Sequence, residues 1–104
     1  MYPQLEPTQT WRGTQFTGTL APNQTQTWFT HSWPSHWFVV WTAIPTAPVI
    51  DGPAQVELTV RLSRQADRAN ARLVKYHLSV RNLTGNNVTF QARYEVLGWN
   101  PSFL

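Results

Sequence analysis

The strongest regularity in the chain is an alternation of apolar and polar positions in its second half. In AQVELTVRLS, Val56, Leu58, Val60 and Leu62 are separated by Glu57, Thr59, Arg61 and Ser63. Val74, Tyr76, Leu78 and Val80 alternate in the same way with Lys75, His77, Ser79 and Arg81. So do Val88, Phe90, Ala92, Tyr94 and Val96 with Thr89, Gln91, Arg93 and Glu95. A period of two sends successive side chains to opposite faces of an extended chain, so each run predicts a β-strand with one apolar and one wet face. The loop LTGNN between the last two runs holds Gly85, Asn86 and Asn87, residues that tolerate positive φ, and predicts a tight hairpin. In that hairpin Val80 faces Phe90, and Lys75 lies opposite Glu95 as a favourable cross-strand pair. The three runs are expected to form an antiparallel meander whose apolar face needs a second layer.

The first half supplies that layer. Proline and glycine interrupt it at Pro3, Pro7, Gly13, Gly18, Pro22, Pro34, Pro45, Pro48, Gly52 and Pro53, which leaves few windows long enough for a helix. Between the breaks Thr, Val, Trp and Phe are common, and these suit a pleated, half-buried surface. Strands are predicted over 14–20, 25–31 and 36–44, with a turn at APNQ and a proline-rich crossing at PTAPVIDGP. The link SRQADRANAR reads as a polar loop or as a short helix, since Arg64, Arg68 and Arg72 recur every four residues behind Ser63. At 104 residues the chain fits one domain. The expected fold is all-β, a small antiparallel two-layer sandwich of six to seven strands, immunoglobulin-like or jelly-roll-like. Residues 1–10 form an N-terminal arm and 98–104 an aromatic C-terminal tail. The segment YHLSVRNLTGNNVTFQARYEVL resembles the closing hairpin of many immunoglobulin-like and jelly-roll modules, and the resemblance implies the same class.

The stretch WFTHSWPSHWFVVW, residues 28–41, holds four of the six tryptophans. Extended from His36 onward, it points Trp37, Val39 and Trp41 to one face and Phe38, Val40 and Thr42 to the other. Both faces are apolar, and a two-layer fold covers only one. The excess face is expected to meet a partner, or to be covered by loops and the tail GWNPSFL with Trp99 and Phe103. Trp33, Trp37 and Trp41 also recur at helical spacing behind Ser32 and Pro34, but the run Phe38, Val39, Val40 and Pro45 oppose a helix.

Composition narrows the chemistry. With no cysteine there is no disulfide framework, no thiol nucleophile and no cysteine-ligated metal, and a thiol-free fold suits any compartment. The N-terminus lacks a basic segment followed by an apolar run, and no window approaches the roughly eighteen apolar residues of a membrane-spanning helix. The net charge of +3 permits anionic partners. Arg61, Arg81 and Arg93 are placed with Lys75 and His77 on the wet face of the meander, where Glu57 and Glu95 offset them. With no aromatic among the meander's outward positions, nucleic-acid binding is not expected. His31 and His36 lie five apart across a Trp-Pro turn, and His77 points outward from a later strand, so no metal site is expected. Ser32 or Ser35 with His36 and Asp51 makes a triad only on paper, because no nucleophile-elbow glycines surround the serines. No Gly-rich loop precedes a helix and the five acids fall in different elements, so neither an enzyme nor a cofactor is expected. A small hydrolase or metal enzyme using His31 or His36 is the remote alternative. The sequons at Asn23, Asn82 and Asn87 are assigned to turns.

The pattern points to a non-catalytic module acting by association, as a homo-oligomer or with a protein partner, through the strand around Trp37, Val39 and Trp41. The candidate binding residues are Trp11, Trp33, Trp37, Trp41, Trp99, Arg61, Arg81 and Arg93. Tryptophan is an effective interface anchor because it buries a large area at little conformational cost. The alternative is a carbohydrate-binding module in which Trp11, Trp33, Trp37 or Trp99 stacks on sugar rings.

Overall fold

The computed structural model describes residues 12–65, 73–100 and 102. Six strands follow one another: β1 (Arg12–Leu20), β2 (Thr25–Pro34), β3 (Trp37–Ala47), β4 (Val56–Gln65), β5 (Leu73–Asn82) and β6 (Val88–Trp99). They form two antiparallel three-stranded sheets, β1-β6-β3 and β2-β5-β4. The fold is therefore an all-β two-layer sandwich, as the alternation predicts. No α-helix occurs among the described residues, and the stretch 33–41 is strand, turn and strand. The N-terminal arm, most of the link 64–72 and all of the tail beyond Asn100 except Ser102 lie outside the described residues. Gly98 and Trp99, assigned to the tail from sequence, belong to β6, where Trp99 pairs with Trp37.

The central strands are β5 and β6, whose alternation is the cleanest. Val74, Tyr76, Leu78 and Val80 of β5 and Val88, Phe90, Ala92 and Val96 of β6 are buried and face each other across the sandwich. Each fully buried aliphatic or aromatic side chain of this kind contributes roughly 1.5–3 kcal/mol. Two clusters make up the core. One gathers Leu20, Val80, Phe90 and Ala92 with Phe16 and Trp28 around them. The other holds Trp41, Val74, Tyr76 and Leu78, with Trp33, Val39 and Tyr94 against them.

This arrangement corrects the expected meander. β4 and β5 do pair, in an unbroken register from Val56↔Asn82 to Gln65↔Leu73. β5 and β6, however, lie in opposite sheets, so LTGNN is an arch between layers and not a hairpin turn. Val80 faces Phe90 across the core, and Lys75 is paired with Ser63 while Glu95 lies between Arg12 and Val40. The reason lies at Asn82, whose side chain is fully buried at the foot of the arch. Its Nδ2 donates to the carbonyls of Leu20 and Ala21 at 3.1 Å each and of Asn86 at 2.6 Å. Its Oδ1 accepts from the backbone N and hydroxyl of Thr84, both at 2.8 Å. One side chain thus satisfies backbone groups from the β1–β2 turn and from the arch. Asn82, assigned to a turn as part of a sequon, is a buried structural bracket.

The APNQ turn forms as expected, with Gln24 N donating to the Ala21 carbonyl at 3.0 Å and Asn23 at φ 60°. β2 and β3 run past their expected ends, to Pro34 and Ala47. β2 does so through a bulge, its register shifting between Thr30 and Trp33 with Ser32 at φ 67°. The shift keeps Trp33 turned into the core while the chain approaches the turn at Ser35 and His36.

Candidate functional site

The tryptophan-rich stretch is mostly interior. Trp28 is half-buried with its ring 4.5 Å from that of Phe16 and 5.5 Å from that of Phe90. Trp33 stands at the centre of an aromatic box, 5.4 Å from Trp41, 5.9 Å from Tyr76, 5.3 Å from Tyr94 and 6.4 Å from Trp37. Edge-to-face contacts dominate, the arrangement that ring quadrupoles favour. The Trp33 indole donates to the Thr30 hydroxyl at 2.9 Å, and Gln15 Nε2 donates to the same oxygen at 3.3 Å. Trp41 is only 8% exposed, and its Nε1 is buried with no acceptor among the described residues. Burial pushes the Tyr76 hydroxyl pKa above its ordinary value of 10.0.

Contact was expected through Trp37, Val39 and Trp41. These three alternate inward, with Trp41 buried and the other two half-buried, because sheet β2-β5-β4 covers their side of β3. The more exposed apolar positions of β3 are the intervening ones. Phe38 and Val40 face out from β3, and Leu97, 66% exposed, stands beside them where the register slips between Phe38 and Val39. β4 adds two more. Val60 and Leu62 carry the expected inward alternation but remain 38% and 56% exposed, because β4 is an edge strand with no neighbour on its far side among the described residues. An open groove of about 480 Å³ along this flank is lined by Trp37, Phe38, Val39, Val40, Val60, Leu62, Tyr76 and Leu97. Five of the nine large apolar residues exposed among the described residues border it.

A second concavity, of about 460 Å³, opens beside the aromatic box. It brings Trp33, Trp37, Tyr94 and Val96 together with Gln15, Thr30, His31, Ser32 and Pro34. A third, of about 390 Å³, lies over Arg12, Thr14, Val40, Thr42, Arg93 and Glu95. Arg12 and Glu95 approach to 3.3 Å there as a solvent-exposed pair, a kind worth at most about 1 kcal/mol.

The arginines do not form one patch. Arg61 and Arg81 are exposed on the outer face of β2-β5-β4, near Lys75, His77 and Glu57, whereas Arg93 lies on the opposite outer face of the molecule. The cause is again the separation of β5 from β6. The face with Arg61 also carries an aromatic from outside the three later strands: Phe29 of β2 is exposed there, 5.6 Å from Lys75 Nζ and edge-on to His77. Alternation sets Phe29 on the side of β2 opposite Trp28, but the pairing of β2 with β5 was not legible. Trp99 is half-buried at the end of β6, and Trp11 lies outside the described residues.

Candidate chemistry is scattered. Among the described residues no three His, Asp or Glu side chains converge to hold a metal ion. His36 directly precedes the eleven-residue β3, and Asp51 lies in the loop beyond its far end at Ala47. Ser63 Oγ does lie 2.8 Å from His77 Nε2, but on an open sheet face, and no carboxylate among the described residues bonds to that imidazole. No helix of the described residues is long and apolar enough to cross a membrane. Compared with known proteins, the chain matches no family model, no curated protein and no solved structure.

Proposed function

We propose that this domain acts by association with further copies of itself, through the flank where β3 and β4 lie side by side. The observation that carries this reading is the gathering of Phe38, Val40, Val60, Leu62 and Leu97 around one groove. Contiguous exposed apolar surface of this kind marks contact surfaces on water-soluble domains. Sedimentation of the wild-type chain tests it. An oligomer should populate at micromolar concentration, and Val40→Thr with Leu97→Ser should weaken it without lowering the unfolding midpoint appreciably. A wild-type chain that stays monomeric over that range overturns the proposal.

A second reading rests on the concavity beside the aromatic box, where half-buried Trp33 and Trp37 adjoin Gln15, Thr30 and Ser32. Indole faces stack on sugar rings while hydroxyl and amide groups take up sugar hydroxyls. Binding on a glycan array that disappears in a folded Trp37→Ala variant supports it. An empty array removes it.

A further inference from the structure

Among the described residues each three-stranded sheet has two edges, so four of the six strands have a neighbouring strand on one side only. Three of those edges carry irregularities that hinder the addition of another strand. β1 shifts register between Thr14 and Phe16 and includes Gly13 and Gly18. β2 shifts between Thr30 and Trp33 and ends on Pro34, and β3 shifts twice and includes Pro45. Bulges and prolines are the usual protection of an exposed strand. β4 has neither. Its ten residues pair with β5 without a break, and it holds no proline and no glycine.

The side chains of β4 have a symmetry of their own. Outward-facing Glu57 and Arg61 stand at equal distances from Thr59, and inward-facing Val56, Leu58, Val60 and Leu62 are likewise arranged about it. We propose that β4, along Val56 to Leu62 on the side away from β5, pairs antiparallel with β4 of a second copy, with Thr59 on the twofold axis, joining the two β2-β5-β4 sheets into one six-stranded sheet. This deepens the association reading and rests on it.

The register follows from three requirements. Directly opposed residues in an antiparallel pair share a face, so apolar must oppose apolar, which excludes every odd shift of register. Of the even shifts, centring on Thr59 alone sets Glu57 against Arg61 of the partner subunit, and by symmetry Arg61 against Glu57 of the partner subunit. The same register sets Val60 beside Leu58 of the partner subunit and Leu62 beside Val56 of the partner subunit. It therefore extends the inner apolar layer past the two residues that the isolated sandwich leaves exposed.

The chain has no cysteine, so Thr59→Cys introduces a single thiol opposite itself. Directly opposed Cα atoms in an antiparallel pair lie about 4.5–5.5 Å apart, inside the roughly 4.4–6.8 Å span of a disulfide. Under mild oxidation the Thr59→Cys protein should become a covalent dimer, while Thr17→Cys on the outer face of β1 should stay monomeric on a denaturing gel. In sedimentation, Glu57→Arg or Arg61→Glu alone should raise the dimer Kd about tenfold or more, since each replaces two attractive pairs by two repulsive ones. The double exchange should restore it, a rescue that mere misfolding of a single variant would not show. Absence of any oligomer overturns this dimer together with the association reading. An oligomer that ignores the charge reversals, with the Thr59→Cys protein left unlinked, overturns the β4 pairing alone and leaves association to the outer face of β3.

Discussion

Gly18 sits where two aromatic rings close over β1. A Cβ at that position would meet the Phe90 ring at 3.0 Å and Trp28 at 3.3 Å. Phe90 is fully buried and has no room to withdraw, and half-buried Trp28 is held against Phe16. Gly18→Ala should therefore destabilise the fold by about 1–3 kcal/mol, read from urea unfolding, despite removing a flexible residue from a strand. An unchanged or higher midpoint would show that the rings give way. Tyr76 offers a pH-dependent test at the same scale. Its folded-state pKa is raised by burial, so below 10.0, the ordinary tyrosine value, both states keep the proton and stability is unaffected. Above that value the unfolded chain releases its proton first, the folded state binds more protons, and stability falls as pH rises toward the folded pKa. Tyr76→Phe should flatten this alkaline loss relative to wild type, and parallel pH profiles would refute the assignment.

At the scale of elements, the arch from Leu83 to Asn87 decides which strands become neighbours. Asn82→Ala would leave the carbonyls of Leu20 and Ala21 and the backbone N of Thr84, some of them buried, without the Asn82 side chain, while the Asn86 carbonyl keeps the Thr84 hydroxyl at 3.0 Å. A loss of roughly 2–4 kcal/mol in urea unfolding is expected, since each unsatisfied buried group costs about 1–3 kcal/mol and water reaches part of the arch. A loss under about 1 kcal/mol would mean that the turn and the arch hold together without the bracket. The element also marks the boundary of what a period of two can reveal. Alternation reports which side of a strand is wet, and it did so for Val74 to Val80 and for Val88 to Val96. It carries no information on which strand lies alongside. Gly85 and Asn86 look like a hairpin turn because positive-φ residues serve arches as well as hairpins. The difference rests on a side chain reaching back to Leu20, sixty-two residues earlier in the chain. For the same reason the two apolar faces of β3 were legible, but the assignment of Phe38 and Val40 to the open face was not: that depends on where the second sheet lies.

For the molecule as a whole, a sandwich with three strands per layer has more edge than centre. Among the described residues only β5 and β6 have a neighbour on both sides, and the buried side chains concentrate on them, whereas Val60 and Leu62 on an edge stay open despite matching the alternation. The candidate surface is thus a consequence of narrowness. The same topology sets the order of contacts along the chain. β4 and β5 are consecutive and paired, whereas the β1–β2, β2–β3, β3–β4 and β5–β6 connections all pass from one sheet to the other. Most strand pairs therefore join distant residues: Arg12 finds Glu95, and Thr25 finds Arg81. Closing such loops costs entropy before any pairing offsets it, so the main refolding phase, followed by tryptophan fluorescence after a denaturant jump, should relax over roughly milliseconds to seconds. The dominant non-local pairing of β1 with β6 and of β2 with β5 would be slowed further in a variant that weakens the Asn82 bracket only if the arch is already formed at the barrier. Asn82→Ala separates the cases: a slower folding limb places the arch in the transition state, whereas a faster unfolding limb alone places its closure after it. A main phase in microseconds would contradict the sandwich's long-range connectivity as the source of the barrier.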